Sequence, residues 1–183
     1  VPVDTYPDFK LRADAVEAAA TERTKMLIVN SPSNPTGVAL DHDELAALAD
    51  VAKRLGLLVL TDDIYESLQY DAAPATIVGL YENVICLNGF SKNAGMTGWR
   101  VGYAAGPEDI IQHMNTLQQY TFVCAPSFAQ QAAVRALEAD MTEKVARYRR
   151  KRDLVYEGIK ERFPVTKPDG AFYIFPQAPG GDG

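Results

Sequence analysis

Short apolar runs alternate along the chain with longer segments whose apolar residues recur at helical spacing. The short runs have the length of buried strands, and polar or turn-forming residues follow them at once. The pattern predicts strands at Lys25–Asn30, Leu57–Asp63, Asn83–Leu87, Arg100–Gly106 and Gly170–Phe175.

The clearest predicted helix runs from Asp41 to Leu55. It carries Leu45 and Leu48 at helical spacing, begins with acidic residues that suit a helix start, and stops at Gly56. The remaining predicted helices are Leu11–Ala20, Pro107–Tyr120, Ser127–Ala139 and Met141–Phe163.

This alternation predicts an α/β fold, in which helices flank a mostly parallel sheet and cover both of its faces. The composition changes after the last helix, near Thr166–Gly170. We therefore expect one domain over residues 1–165 and the start of a second, smaller α/β domain over residues 166–183.

Charge and cysteine content narrow the function classes. The 183 residues carry a net charge of −6, which gives no electrostatic reason to expect nucleic acid. No apolar run is long enough to cross a bilayer. We expect Cys86 and Cys124 to be buried thiols of a cytoplasmic protein, and the basic residues between 147 and 152 to form a solvated helix face.

Polar residues collect where the predicted strands end, which is where α/β sheets bind ligands. Lys92 follows one strand among small residues, and a partly desolvated lysine amine can form an imine with an aldehyde. Asp62 ends a very apolar strand, where a carboxylate needs a cationic partner. Ordinary alternatives are a surface loop for Lys92, and a helix cap or salt bridge for Asp62, with Asp63 as the capping residue.

Three further residues come close to these positions in sequence. Tyr65 follows Asp62 as the chain leaves the strand, and Asn34 precedes a proline, which favours an extended backbone. Arg100 ends a turn of small residues and can grip a phosphate with two hydrogen bonds. The alternatives are packing for Tyr65, a plain turn for Asn34, and a carboxylate partner elsewhere in the fold for Arg100.

Taken together, these segments resemble the class I/II pyridoxal-phosphate-dependent aminotransferases of fold type I, of the aspartate or aromatic type. The resemblance rests on four stretches in the family's order: NSPSNPTG, DDIYE, GFSKNAGMTGWRVGY and KPDGAFYIFP. It covers nearly the whole chain and implies pyridoxal 5′-phosphate as the cofactor.

The resemblance also implies a role for each residue. Lys92 would carry the cofactor as an imine and move protons, and Asp62 would pair with the pyridine nitrogen. The ring's 3′-oxygen would accept hydrogen bonds from Tyr65 and Asn34. Arg100 would hold the phosphate, with Ser91 as a further contact. Many relatives have a phosphate-binding serine three residues before the lysine, where this chain has Gly89.

By resemblance, the function is transfer of an amino group from an amino acid to a 2-oxo acid. A β-lyase activity, or a non-catalytic chain that keeps the fold, stays open as an alternative. Relatives are usually homodimers, and Gln118–Ala133 resembles the segment that meets the neighbouring subunit, although core packing is equally compatible with it. We expect the chain, which begins at Val1 and ends soon after the last predicted strand, to be a piece of a longer polypeptide.

Overall fold

A computed structural model describes residues 1–181, which form a four-stranded sheet in the order β1-β2-β3-β4 with helices beside it. The strands are β1 (Met26–Asn30), β2 (Leu58–Asp62), β3 (Val84–Gly89) and β4 (Gly102–Ala105). The helices are α1 (Ala13–Ala19), α2 (His42–Leu55), α3 (Glu108–Thr121), α4 (Ser127–Ala136) and α5 (Thr142–Ile159), with one 3₁₀ turn at Thr97–Trp99.

The strand register aligns the polar ends of the sheet. β1, β2 and β3 run parallel, and the pairing places Asn30 opposite Asp62, and Asp62 opposite Leu87. β4 is antiparallel to β3 and pairs Gly102 with Gly89. The predicted α/β class with a mostly parallel sheet is therefore confirmed, and the carboxyl ends of the three parallel strands lie side by side.

The α2 helix forms as its sequence predicts. The Asp41 side chain accepts a hydrogen bond from the Glu44 amide, and the Glu44 side chain accepts one from the Asp41 amide. Gly56 ends the helix in the left-handed conformation, which a residue without Cβ adopts at little cost. Leu48 on its inner face is fully buried, so α2 supplies much of the main core.

Only one face of β1 is covered. Leu27 and Val29 point into the main core, whereas Met26 and Ile28 on the opposite face are 42% and 64% exposed. The prediction that helices cover both faces is thus wrong for β1, because the described residues place no helix over that side of the strand. The alternating burial is typical of a strand with a single packed face.

The prediction of a strand at Gly170–Phe175 is wrong. Gly170 makes one isolated bridge to Gln69, and no regular strand follows. Ala171 has a left-handed backbone with φ of 56°, which breaks the extended geometry that a strand needs. The segment lies instead against loops near the end of the parallel sheet.

Two burial predictions are also wrong. Arg152 is buried, because its guanidinium pairs with Asp71 and donates to the Pro168 carbonyl. The other basic residues between 147 and 151 are exposed, as expected of a solvated face. Cys124 is exposed and Cys86 is half-buried, so neither is the fully buried thiol that was expected.

No helix within residues 1–181 is long and apolar enough to cross a membrane.

Candidate active site

Asn30 joins the ends of two neighbouring strands. Its side-chain amide donates to the Asp62 carbonyl at 3.0 Å, and its side-chain oxygen accepts from the Asn34 amide at 2.9 Å. One side chain therefore holds the loop that carries Asn34 against the strand end that carries Asp62.

Asp62 and Asp63 point to opposite sides of β2 and have different surroundings. Asp62 is half-buried, and its carboxylate accepts from the Ile64 amide at 3.2 Å. Asp63 is 2% exposed and accepts hydrogen bonds from the hydroxyls of Thr61 and Thr76, at 2.5 and 2.7 Å. Asp63 caps no helix, since a turn follows it. Asp63 therefore holds the start of that turn through buried hydrogen bonds, whereas the Asp62 carboxylate is the more accessible of the two.

Cys86 lies beside Asp63, with its Sγ atom 3.6 Å from the carboxylate. Burial, followed by the negative charge of Asp63, raises the pKa of the Cys86 thiol to about 12. This cysteine is therefore a protonated, unreactive thiol at neutral pH.

Tyr65 is buried at the turn after β2, and its hydroxyl lies 2.7 Å from the hydroxyl of Tyr173. Burial raises the pKa of Tyr65, the hydrogen bond with Tyr173 and the charge of Asp62 raise it further, and a hydrogen bond with Asn34 lowers it. Tyr65 thus keeps its proton at neutral pH and remains a hydrogen-bond donor. Asp62 lies three residues before Tyr65, and Asn30 holds the Asn34 amide beside the Asp62 carbonyl, so Asn34, Asp62 and Tyr65 lie at the same end of the sheet.

Lys92 extends toward the same group of residues. Its amine lies 5.7 Å from the ring centroid of Tyr65 and 5.4 Å from that of Phe172. Both distances are within the range of cation–π attraction. Lys92 has no carboxylate within 4.0 Å among residues 1–181, so its amine faces aromatic rings and has no salt bridge there.

Arg100 is exposed and has φ of 51°, and its guanidinium donates to the Thr97 carbonyl at 3.1 Å. No salt bridge of Arg100 occurs within the described part of the chain, so the carboxylate partner that was its alternative explanation is absent there. Ser91 is half-buried, and within residues 1–181 neither Ser91 nor Arg100 makes a hydrogen bond to Tyr65 or Lys92. Asn34, Asp62, Tyr65 and Lys92 are therefore brought together, whereas contacts of Arg100 and Ser91 with them are not observed.

The structure gives a reason for Gly89. A Cβ atom at this position would lie 3.2 Å from the Gly102 Cα atom and 3.2 Å from the Ile64 side chain. Such contacts are tighter than those real Cβ atoms usually make. A serine here would require its neighbours to shift, since β3 and β4 approach closely at this pair.

A sequence model of the family "Aminotransferase class I and II" matches residues 1–180. The chain belongs to the class I and II aminotransferases. Among curated aminotransferases, it is 39% identical to a probable aspartate aminotransferase of Methanocaldococcus jannaschii and 40% identical to aromatic-amino-acid aminotransferase 2 of Thermococcus litoralis. These matches cover 95% and 97% of the chain, and each covers 49% of the relative.

Solved aminotransferase structures have the same fold. An aromatic aminotransferase from Pyrococcus horikoshii matches with a TM-score of 0.90 and 40% identity, over 97% of this chain and 50% of the other. An aspartate aminotransferase from Thermotoga maritima matches with a TM-score of 0.89 and 32% identity, over 96% and 48%. The chain thus spans about half the length of the aminotransferases it matches.

Sequence reasoning assigned no site role to two aromatic residues of this aminotransferase chain. Phe172 and Tyr173 lie in the KPDGAFYIFP stretch, within the segment Gly170–Phe175 that the pattern predicts to be a strand. Their rings meet the Tyr65 ring edge-on, with centroids 5.4 and 5.7 Å away. The family motif was the only sequence feature that could have indicated a site role for these two residues. The hydrophobic pattern of the stretch does not indicate that it folds back toward Tyr65.

Proposed function

We propose that the chain carries the cofactor-binding centre of a pyridoxal-phosphate-dependent aminotransferase. The enzyme would move an amino group from an amino acid to a 2-oxo acid by a ping-pong route. Membership of the aminotransferase family supports the reaction class. The single observation that carries the site assignment is the position of the Lys92 amine, 5.7 Å from the centroid of the Tyr65 ring, at the strand end that also carries Asp62.

The side chains present are those that pyridoxal phosphate requires. Its aldehyde needs an amine, its ring nitrogen a carboxylate, its 3′-oxygen hydrogen-bond donors, and its phosphate a guanidinium. Lys92 and Asp62 match the first two needs, and Tyr65 and Asn34 match the third. The exposed guanidinium of Arg100 matches the fourth, with Ser91 as an additional phosphate contact. The group therefore fits, and Lys92, Asp62 and Tyr65 are proposed as the catalytic residues.

When bound, the cofactor supplies an electron-withdrawing ring that makes the Cα–H bond of an amino acid acidic. Lys92 would take up the Cα proton and release it again on the cofactor side of the imine nitrogen, which requires an amine that is uncharged when it acts. The Asp62 carboxylate would hold a proton on the ring nitrogen by favouring the charged form of that nitrogen. The Tyr65 hydroxyl and the Asn34 side-chain amide would orient the ring through its 3′-oxygen, and Arg100 would hold the phosphate.

The proposal is tested by adding pyridoxal phosphate to the purified chain and reducing it with borohydride. We expect one pyridoxyl group, located on Lys92 by peptide mass spectrometry. Lys92→Ala should abolish this modification. Lys53→Ala removes an exposed lysine of α2 and should leave the modification unchanged. Modification of the Lys92→Ala chain to the same extent would refute the assignment.

A second assay addresses the reaction. The protein that contains this chain, loaded with cofactor, is given an amino acid and a 2-oxo acid, and the new amino acid is measured. Formation of pyruvate and ammonia without a new amino acid would favour the β-lyase alternative, and neither product would favour a non-catalytic chain. Asp62→Ala should retain the cofactor on Lys92 yet lose turnover, because the uncharged ring nitrogen withdraws electrons poorly.

The proposal names the substrates only by class, as an amino acid and a 2-oxo acid. A homodimer, a cytoplasmic location and a second domain that begins at residue 166 also stay predictions. Dimerisation is measurable by analytical ultracentrifugation of the protein.

A further inference from the structure

Lys167–Tyr173, here called the strap, crosses two loops of the proposed site. The amides of Asp169 and Gly170 both donate to the Gly37 carbonyl at 2.9 Å, and the Asp169 carboxylate accepts from the Ala39 amide at 3.1 Å. The strap is thereby bound to the loop that carries Asn34.

The strap is also bound to the turn that carries Tyr65. The Ala171 amide donates to the Leu68 carbonyl at 2.8 Å, and the Tyr70 amide donates to the Asp169 carbonyl at 2.9 Å. The Tyr70 hydroxyl donates to the Ala171 carbonyl. Ala171 is fully buried, so these contacts are shielded from water.

Two glycines allow this close approach. A Cβ atom on Gly170 would lie 2.6 Å from both the Leu68 carbonyl oxygen and the Pro32 ring. A Cβ atom on Gly37 would lie 2.6 Å from the Pro168 side chain, and its φ of +74° also favours glycine. The strap therefore cannot move away from the site loops without breaking this packing.

The strap delivers two aromatic side chains to the proposed site. The Tyr173 hydroxyl lies 2.7 Å from the Tyr65 hydroxyl, and the ring of Phe172 lies 5.4 Å from the Lys92 amine. We propose that Tyr173 is a positioning residue, whose hydroxyl orients that of Tyr65 toward the cofactor's 3′-oxygen while Phe172 holds the Lys92 side chain. This inference rests on the proposed function.

The reason lies in the hydrogen-bonding capacity of a tyrosine. A phenol hydroxyl has one proton to donate and two preferred directions for it near the ring plane, and a hydrogen bond accepted by its oxygen selects one of them. Either hydroxyl can donate in this pair. Once the 3′-oxygen accepts the Tyr65 proton, Tyr173 would donate to the Tyr65 oxygen and keep that proton directed at the cofactor. Consecutive hydrogen bonds also polarise one another, so Tyr65 becomes the stronger donor.

The test compares Tyr173→Phe with Tyr148→Phe, its matched control. Each substitution removes one hydroxyl and keeps the ring. Tyr148 is half-buried and packs on Phe172, with ring centroids 5.9 Å apart, and against the cluster of Tyr65, Leu68 and Ala171, but within residues 1–181 its hydroxyl makes no hydrogen bond to Tyr65. Circular dichroism verifies that each variant is folded.

The first measurement needs no cofactor. The chain is labelled with ¹³C at the tyrosine Cζ atoms, and the Tyr65 signal is assigned by its loss in Tyr65→Phe. We expect this signal to shift in Tyr173→Phe and to stay in place in Tyr148→Phe.

The second measurement follows the absorption of the pyridoxal-phosphate-loaded chain against pH. Loss of the Tyr173 hydroxyl weakens donation from Tyr65 to the 3′-oxygen, so the linkage on Lys92 should keep its proton to higher pH. We expect the midpoint to rise by about half a pH unit in Tyr173→Phe and to remain unchanged in Tyr148→Phe. A role of Tyr173 in stability alone would not move this midpoint.

The outcomes separate this inference from the function on which it rests. A shifted signal together with a raised midpoint supports the inference. A cofactor linkage on Lys92 whose midpoint is the same in Tyr173→Phe and Tyr148→Phe overturns the inference and leaves the proposed function intact. Failure of the unsubstituted chain to form the linkage on Lys92 overturns both, and a shifted Tyr65 signal would then mark the contact as structural only.

Discussion

The helices α2 and α3 have the same length of 14 residues, yet they differ in burial. α2 buries five residues in the main core, and Leu48 is completely inaccessible. α3 buries none, and its Leu117 is 66% exposed. Both have apolar residues at helical spacing, so the periodicity predicts each helix but not whether its apolar side is covered.

This difference in burial follows from the elements that pack beside each helix. α2 lies next to α1 and contributes to the same core as β1 and β2. Within residues 1–181, α3 has no comparable partner, since its residues belong to none of the three core clusters. The stability of α2 should therefore depend on tertiary packing, and the exposed side chains of α3 should matter little.

The largest expected effect contrasts Leu48→Ala with Leu117→Ala. Leu48→Ala opens a cavity in the main core and should lower the free energy of unfolding by about 3 kcal/mol. Leu117→Ala removes an exposed side chain and should change it by less than about 0.5 kcal/mol. Urea unfolding followed by circular dichroism measures both.

An equal loss in the two variants would contradict the comparison. It would mean that α3 is covered in solution, and repeating the unfolding at several protein concentrations would reveal whether a second copy provides that cover.

The next largest effect tests the contrast between buried and exposed side chains within α5, where two arginines pair with Asp71. The Arg152 side chain is 4% exposed and that of Arg149 is 53% exposed. Arg152→Met should lower the free energy of unfolding by about 2 kcal/mol, because it leaves the Pro168 carbonyl without the Arg152 donor and Asp71 with Arg149 alone. Arg149→Met removes a surface pair and should cost about 0.5 kcal/mol.

The penalty of Arg152→Met should depend on pH. The hydrogen bond with Arg152 lowers the pKa of Asp71 from its ordinary value of 3.8. A carboxylate whose pKa is lower in the folded state stabilises the fold above its ordinary pKa, and this stabilisation disappears as the pH falls through the folded pKa. The difference in thermal stability between the unsubstituted protein and Arg152→Met should therefore shrink as the pH falls below 3.8, leaving only the part due to the Pro168 carbonyl. A pH-independent difference would contradict this explanation.

The smallest effect concerns how the two helices begin. Asp41 caps α2 with its side chain, whereas the N-cap of α3 is Pro107, which makes no such bond. Asp41→Ala should lower the free energy of unfolding by about 1 kcal/mol. Asp41→Asn keeps the acceptor oxygen and serves as the control, with a change of a few tenths of a kcal/mol expected. Equal losses in both variants would show that charge, and not the cap, is what matters.

Much of the site region was predictable because it depends on local sequence. Asn30, Asp62 and the segment before Lys92 follow apolar runs, and neighbouring parallel strands bring their carboxyl ends to one edge. The capping box at Asp41 and the stop at Gly56 are also local signals, and the structure has both. The residues proposed for cofactor binding stay predictions, although four of them lie near one another.

Other features could not be predicted, because they depend on partners distant in sequence. Arg152 is buried only because Asp71, 81 residues earlier, reaches it. Tyr173 meets Tyr65, 108 residues earlier, because the strap folds back over two loops. No periodicity within a single segment contains that information.

The sequence by itself determined the α/β class, the family and the order of the polar strand ends. These follow from hydrophobic periodicity, caps and short motifs, which act over a few residues. Only the tertiary structure decided which apolar faces are covered, which arginine is buried, and that Phe172 and Tyr173 face Lys92 and Tyr65. The physical reason is that burial and hydrogen-bond pairing are properties of two surfaces, and the second surface is set by the path of the chain.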